Sequence, residues 1–250
     1  LGLTLHDLNK FHEAIETYNK ALALRPDYAD AYNNMGLTLQ NQRKFDNSID
    51  AFKKAISIKP NYFEAHNNIG STYQDQGKLD EAMNAYNKAL SIKPDYAAAF
   101  NNIGLTYQDL HKPDKAIEAY NKALALKPDY ADAYNNMGTT LNNQGKWEKA
   151  IEAYDKALLI KPDYTDAYYN KGLTLQDNGH LFMAIEAFEK VLLLKPDFEK
   201  ARAHRLHQLA YICDWRSIEQ DRKLISKLGS SNQSISPWSV LSLEDNPTNH

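Results

Sequence analysis

A single cysteine, Cys213, among 250 residues excludes an intrachain disulfide framework. No apolar run approaches the length of a membrane span or of a secretion-signal core. Basic excess is missing too: 29 Lys and Arg stand against 32 Asp and Glu, a formal net charge of -3. Such a chain has no surplus of cation to neutralise phosphate backbones or anionic lipid, so nucleic acid and membrane surfaces are poor partners. The ten glycines fall singly and form no phosphate-cradling loop. What is present, 43% hydrophobic and 24% charged residues, is the composition of a folded soluble protein, and the scarcity of cysteine places it in a reducing, cytoplasmic compartment.

The organisation is a repeat. Pro26, Pro60, Pro94, Pro128, Pro162 and Pro196 recur every 34 residues. Gly2, Gly36, Gly70, Gly104, Gly138 and Gly172 keep the same register, as do Ala14, Ser48, Ala82, Ala116, Ala150 and Ala184. An aromatic series, Tyr18, Phe52, Tyr86, Tyr120, Tyr154 and Phe188, follows. With Ala29 as place 1, small residues occupy places 8, 20 and 27 and bulky ones places 4, 7, 11, 17, 24 and 34. That alternation predicts two antiparallel helices per repeat, with the small residues allowing close approach and the aromatics filling the gap towards the neighbouring repeat.

Turn chemistry agrees. Between the helices stand Gln42-Arg43-Lys44, Gln76-Gly77-Lys78, Gln144-Gly145-Lys146 and Asn178-Gly179-His180, where glycine takes the left-handed conformation that ends a helix. Each second helix runs into a cation and a proline, as in Lys93-Pro94-Asp95-Tyr96, and Asp95 is expected to initiate the next helix. Pro113 falls on the opening turn of a second helix, where its missing N–H costs little.

This pattern resembles the tetratricopeptide-repeat family over residues 1–198, for example through Tyr134, Gly138, Ala150, Tyr154, Ala157 and Pro162. The resemblance implies an all-α, right-handed superhelical solenoid of antiparallel helix pairs with a short non-repeat C-terminal segment. Six repeats, the first truncated, fill 1–198. A capping helix follows at 199–212, where Arg202 and Leu206 replace the bulky residue and the glycine, and 213–250 reads as a junction in which the register is lost. Because the chain opens on Leu1-Gly2-Leu3 inside a helix and stops after Asn246-Pro247-Thr248-Asn249-His250, a piece of a longer protein is expected.

In arrays of this family the first helices line a concave face through places near 2, 5, 6, 9, 12 and 13. Place 6 is a column of asparagines, Asn34, Asn68, Asn102, Asn136 and Asn170, and place 5 adds Asn33, Asn67, Asn101 and Asn135. Asparagine is a poor helix former, about 0.6 kcal/mol worse than alanine, yet its amide offers the donor and acceptor that an extended peptide needs. Asp75, Asp109 and Asp177 at place 13, and Asp30, Glu64, Asp132 and Asp166 at place 2, favour segments rich in Lys, Arg, Ser or Thr. The bland readings are that copying one unit copied its asparagines, and that solvated acids serve solubility. A carboxylate-clamp mode is absent, because place 2 is acidic or Ala98 and place 9 holds Leu37, Ser71, Leu105, Thr139 and Leu173. His204 and His207 lack further ligands for a metal site, Cys213 has no evident activating histidine, and the chain shows no catalytic apparatus of its own.

The last forty residues carry a second resemblance. Cys213-Asp214-Trp215, a helix-like stretch from Ser217 to Leu228, a polar loop at 229–234, and Ser236-Pro237-Trp238-Ser239-Val240-Leu241-Ser242-Leu243-Glu244-Asp245-Asn246-Pro247 are similar to the repeat-to-catalytic junction of the protein O-GlcNAc transferase and Spindly family, glycosyltransferase family 41. In that family an asparagine ladder engages the substrate polypeptide, and Asn34, Asn68, Asn102, Asn136 and Asn170 match it. The resemblance implies a recruiting arm for a protein Ser/Thr O-glycosyltransferase whose catalytic residues lie beyond His250. UDP-GlcNAc or another nucleotide sugar, GlcNAc or fucose, would be the donor, and no cofactor binds this chain itself. The alternative is a free-standing adaptor. Partners on either reading are extended polypeptide segments of other proteins, and homo-oligomerisation stays open.

Overall fold

A computed structural model describes residues 1–218, which form helices and no strand. The helix-like stretch to Leu228, the polar loop and the segment 236–247 lie outside the described residues beyond 218. The helices fall into two compact units divided after Pro128. Unit 1 holds α1 (Gly2–Asp7), α2 (Phe11–Leu24), α3 (Ala29–Asn41), α4 (Phe45–Ile58), α5 (Phe63–Asp75), α6 (Leu79–Ile92), α7 (Ala97–Asp109) and α8 (Pro113–Leu126). Unit 2 holds α9 (Ala131–Asn143), α10 (Trp147–Ile160), α11 (Thr165–Asp177), α12 (Leu181–Leu194) and α13 (Glu199–Tyr211). Within each unit every first helix packs on its own second helix, each second helix packs on the next first helix, and successive first helices touch.

The ring at place 24 sets the approach within a pair. A Cβ on Gly104 would lie 2.4 Å from Cε1 of Tyr120, and one on Gly36 would lie 2.5 Å from Cε1 of Phe52. The ring therefore occupies the volume that any other residue at place 8 would need. It serves the neighbouring repeat as well, since Phe52 also packs with Ile69 and Ala85. Phe52, Tyr86, Tyr120 and Phe188 are wholly buried, which removes from water an area worth about 2–3 kcal/mol per ring. Place 20 is closed by alanines without exposure, and place 27 by Ala55, Ala89, Ala123, Ala157 and Val191, likewise wholly buried. Ser48, the exception at place 20, donates its hydroxyl to the Gly36 carbonyl at 2.8 Å, so the buried polar group is paired.

Every inter-helix turn has one geometry. The place-15 residue takes positive φ, between 54° and 77°, whether glycine (Gly77, Gly145, Gly179) or not (Asn9, Arg43, His111, Cys213). The next N–H then reaches back five residues, as Lys78 N to Tyr73 O at 2.9 Å, while the Gly77 N–H bonds Gln74 O at 2.8 Å. These are the paired bonds of a Schellman motif. Second helices end on Lys59, Lys93, Lys127, Lys161 and Lys195 as C-caps, and the Lys59 ammonium lies 4.1 Å from the Tyr62 ring centroid. First helices start differently from expectation. Their N-caps are aromatic (Tyr28, Tyr62, Tyr96, Tyr130, Tyr164, Phe198) and make no side-chain cap bond, so Asp95 sits in the preceding turn and caps nothing. Pro113 does open α8.

The register does not stop at residue 212. Cys213 has φ 59° at place 15, and the Asp214 N–H bonds Leu209 O at 2.9 Å, as in every earlier turn. Helix resumes at 215, where every earlier second helix begins. Asp214 caps this turn, accepting from the Ser217 N–H at 3.2 Å and the Ser217 hydroxyl at 2.7 Å. Leu206, in the glycine's place, is wholly buried against Ile185, Leu209 and Ile218. Residues 199–218 thus retain the backbone of a seventh repeat with a different core.

The two kinds of glycine separate by experiment. Gly77→Ala meets no atom within 4 Å but keeps a positive φ, so thermal melting should show a loss of about 1 kcal/mol. Gly104→Ala collides with a wholly buried ring, and its loss should reach about 2–3 kcal/mol. Equal melting points for the two variants would contradict this packing account.

Candidate functional site

Adjacent places 5 and 6 point about 100° apart around a helix, and the two asparagine series divide accordingly. Asn33, Asn67, Asn101 and Asn135 are buried, at 5–7% exposure. Asn34, Asn68, Asn102, Asn136 and Asn170 are half-buried on the first-helix face. In unit 1, Asn68 Nδ2 donates to Asn33 Oδ1 at 3.0 Å and Asn102 Nδ2 to Asn67 Oδ1 at 3.0 Å. In unit 2, Asn170 Nδ2 donates to Asn135 Oδ1 at 3.1 Å. A buried amide of one repeat thus fixes the orientation of the half-buried amide on the next. The Oδ1 atoms of Asn68 and Asn170 accept no hydrogen bond among the described residues. Place-10 threonines bond the place-6 backbone carbonyls at 2.9–3.0 Å.

A second polar strip joins the place-13 acids to glutamines at place 12, which sequence reasoning missed. Gln40 Nε2 donates to Asp75 Oδ2 at 2.7 Å, and Gln74 Nε2 to Asp109 Oδ2 at 2.7 Å. Gln74 Oε1 accepts the Tyr86 hydroxyl at 3.0 Å. The signal was available, since Gln40, Gln74, Gln108 and Gln176 recur in register. In the first repeat His6 stands in for glutamine, with Nδ1 2.9 Å from Thr38 Oγ1 and Nε2 accepting from Asn41 Nδ2 at 3.2 Å. Asp75, Asp109 and Asp177 are all exposed, and the first two give one oxygen each to a glutamine. The place-2 acids Asp30 and Asp132 accept the Tyr62 and Tyr164 hydroxyls at 2.7 and 2.8 Å. Burial first, then these carboxylates, push both phenols well above the usual tyrosine range.

His204 occupies place 6 of the seventh repeat, one period beyond Asn170. Its partner across the interface is Tyr169 in the place-5 position, so an aromatic contact replaces the amide pair. The imidazole stacks on Phe188 with centroids 5.4 Å apart, meets Tyr169 edge-on at 5.9 Å, and donates from Nδ1 to Gln176 Oε1 at 3.1 Å. Burial, and then the neighbouring His207, hold His204 below the ordinary histidine value, with Asp177 opposing. Among the described residues no group of three or more His, Cys, Asp or Glu could hold a metal ion. No helix there is long and apolar enough to cross a membrane.

The lowered His204 value has a stability consequence with a definite sign. The unfolded imidazole takes up its proton first as pH falls, so stability contributed above about pH 6.5 is lost as pH drops below it. Between about pH 7.5 and about pH 5.5, the melting temperature should therefore fall further for the parent chain than for His204→Gln. An equal fall in both would remove His204 as the cause.

Models of the tetratricopeptide repeat match this chain along most of its length. The TPR repeat model covers 2–43, 70–110 and 140–179, and further tetratricopeptide repeat models cover 29–62 and 97–130, 51–84 and 119–152, and 165–198. No curated protein matches the chain. Among solved structures, MamA is 32% identical over 65% of this chain and 95% of MamA, with a TM-score of 0.55. PilW, a type IV pilus biogenesis factor, is 21% identical over 82% of this chain and 95% of its own, with a TM-score of 0.71. YrrB is 23% identical over 75% of this chain and 96% of its own, with a TM-score of 0.52, and these last two share the fold alone. With repeat models matched from residue 2 to residue 198 and this identity to MamA, the chain belongs to the tetratricopeptide-repeat family.

Proposed function

We propose that this chain is a protein-interaction scaffold that binds extended polypeptide segments along its first-helix faces through Asn34, Asn68 and Asn102 in unit 1 and Asn136 and Asn170 in unit 2. The observation that carries this reading is the amide pairing: Asn68, Asn102 and Asn170 are each held by a buried asparagine at 3.0–3.1 Å. An amide fixed before binding loses little rotamer freedom on engaging a ligand. Because it contacts backbone and not side chains, recognition is tolerant of sequence. Asp75, Asp109 and Asp177 beside the column add attraction for Lys, Arg, Ser or Thr. YrrB, described as a TPR protein with an unusual peptide-binding site, lends support by analogy.

The same pairing means that alanine at place 6 both removes a binding amide and strands a buried carbonyl. The test therefore needs two sets of variants, with affinities for an array of unstructured peptides measured where all remain folded by circular dichroism. Replacing Asn68, Asn102 and Asn136 by alanine should weaken peptide binding by about tenfold or more, as expected from losing several hydrogen bonds near 1 kcal/mol each. Replacing the buried partners Asn33 and Asn67 should lower the melting point by a comparable amount while changing affinity much less. Unaltered affinity in the first set would sink the proposal.

A finer reading makes this scaffold the cytoplasmic recruiting arm of a nucleotide-sugar-dependent protein Ser/Thr O-glycosyltransferase, against the alternative of a free-standing adaptor. The feature favouring it is Cys213-Asp214-Trp215 directly after α13, followed by the segment 236–247. On this reading, the coding frame beyond residue 250 should encode a nucleotide-sugar-binding catalytic region, and the whole protein should transfer radiolabelled sugar from UDP-GlcNAc or GDP-fucose to protein hydroxyls. A frame without such a region leaves the adaptor.

A further inference from the structure

At places 18 and 19 the outward stripe of second helices is polar in every repeat but one. Place 18 holds His12, Asp46, Asp80, Asp114 and Glu148, and then Phe182; place 19 holds Glu13, Asn47, Glu81, Lys115 and Lys149, and then Met183. At the other end of the helix, place 29 holds Ala23, Ser57, Ser91 and Ala125, and then Leu159 and Leu193. On α12 this leaves Phe182 70% exposed, Met183 49%, Leu193 73% and Leu194 41%. A following second helix would not cover the first three of these. On α6, which has repeats on both sides in unit 1, the same places (Asp80, Glu81, Ser91) are exposed, while Ile92, in the place of Leu194, is half-buried.

The stripe on α12 is also symmetric about its own centre. Phe182 and Leu194 stand six residues either side of Phe188, Met183 and Leu193 five, and Glu186 and Lys190 two. Glu186 and Lys190 are exposed and make no ion pair among the described residues. No other second helix repeats the arrangement: α10 has Leu159 and Ile160 at one end but Glu148 and Lys149 at the other.

We infer that α12 is a self-association surface and that its occupant is α12 of a second copy of this chain, laid antiparallel across a two-fold axis level with Phe188. A two-fold interface must be complementary to itself, and this stripe is. Phe182 and Met183 of each copy meet Leu193 and Leu194 of the other, and Glu186 meets Lys190 twice, near the axis. A parallel arrangement would instead set like charges level with one another. Each 14-residue helix is about 21 Å long, so the area covered falls below the roughly 1,200 Å² of a standard stable interface. The dimer is accordingly a reversible one, formed at micromolar concentrations.

Sedimentation equilibrium of the 250-residue chain, from about 1 to about 200 µM, tests the inference with two charge reversals at exposed positions, folding being checked by circular dichroism. The parent chain should show a monomer–dimer equilibrium. Glu186→Lys and Lys190→Glu should each weaken it by about tenfold or more, since each turns two attractions into two repulsions. The double variant, and an equimolar mixture of the two single variants, should recover the dimer, because both restore opposite charges across the axis. A parent chain that stays monomeric, single variants that dimerise as the parent does, or a mixture that stays monomeric would each overturn it.

Discussion

An aromatic ring lying where a Cβ would otherwise be is the contact on which the rest of this molecule depends. At Gly2, Gly36, Gly70, Gly104, Gly138 and Gly172 the nearest ring carbon is 2.4–2.7 Å from the hypothetical Cβ. Two helices can come this close only if one gives up its side chain and the other supplies a flat one. Repeating that contact at a constant interval brings successive first helices into touch within each unit, and equal places on them fall into columns. The asparagine and glutamine strips follow from this alignment.

The columns then do something the apolar core cannot. Dispersion and burial are tolerant of small slips, whereas an amide bonded to an amide at 3.0 Å has one register. Asn33 with Asn68, Asn67 with Asn102, and Gln74 with Asp109 peg neighbouring repeats in unit 1, and Asn135 with Asn170 does so in unit 2. Pegging also leaves a half-buried, oriented carbonyl on Asn68 and Asn170. Structural and recognition roles therefore share one side chain, and the cost of asparagine in a helix is offset on both counts.

Period, helix pairing, the small places 8 and 20, the left-handed turn at Gly77 and the role of Pro113 were legible in the sequence, because each follows from sterics local to a few residues. Three features were not. Asp95 looked like an N-cap, but the chain is still turning there and the cap position belongs to Tyr96. The split between buried Asn67 and half-buried Asn68 depends on the neighbouring repeat's distance, which no local rule supplies. Residues 213–250 read as a junction in which the register is lost, yet Cys213 makes the same left-handed turn as Arg43 and His111. The register was the better guide there: residue 213 lies one period beyond Gly179.

In a chain of near-copies, a residue that matches its equivalents says little about selection at its own position, since copying alone accounts for it. Departures have no such explanation, and they gather at the end of the described chain. Lys171 stands where Met35, Ile69, Ile103 and Met137 stand in other repeats, and it reaches Asp155 at 2.6 Å. Tyr169 and His204 exchange an amide pair for an aromatic one. Phe182 and Met183 put apolar side chains where the equivalents are polar, and with Leu193 they complete an exposed apolar stripe. The first two changes are compensated inside the unit, by an ion pair and by ring stacking. The third is uncompensated within the described residues, and apolar exposure at both ends of a helix whose equivalents are polar at places 18 and 19 calls for a partner outside the chain.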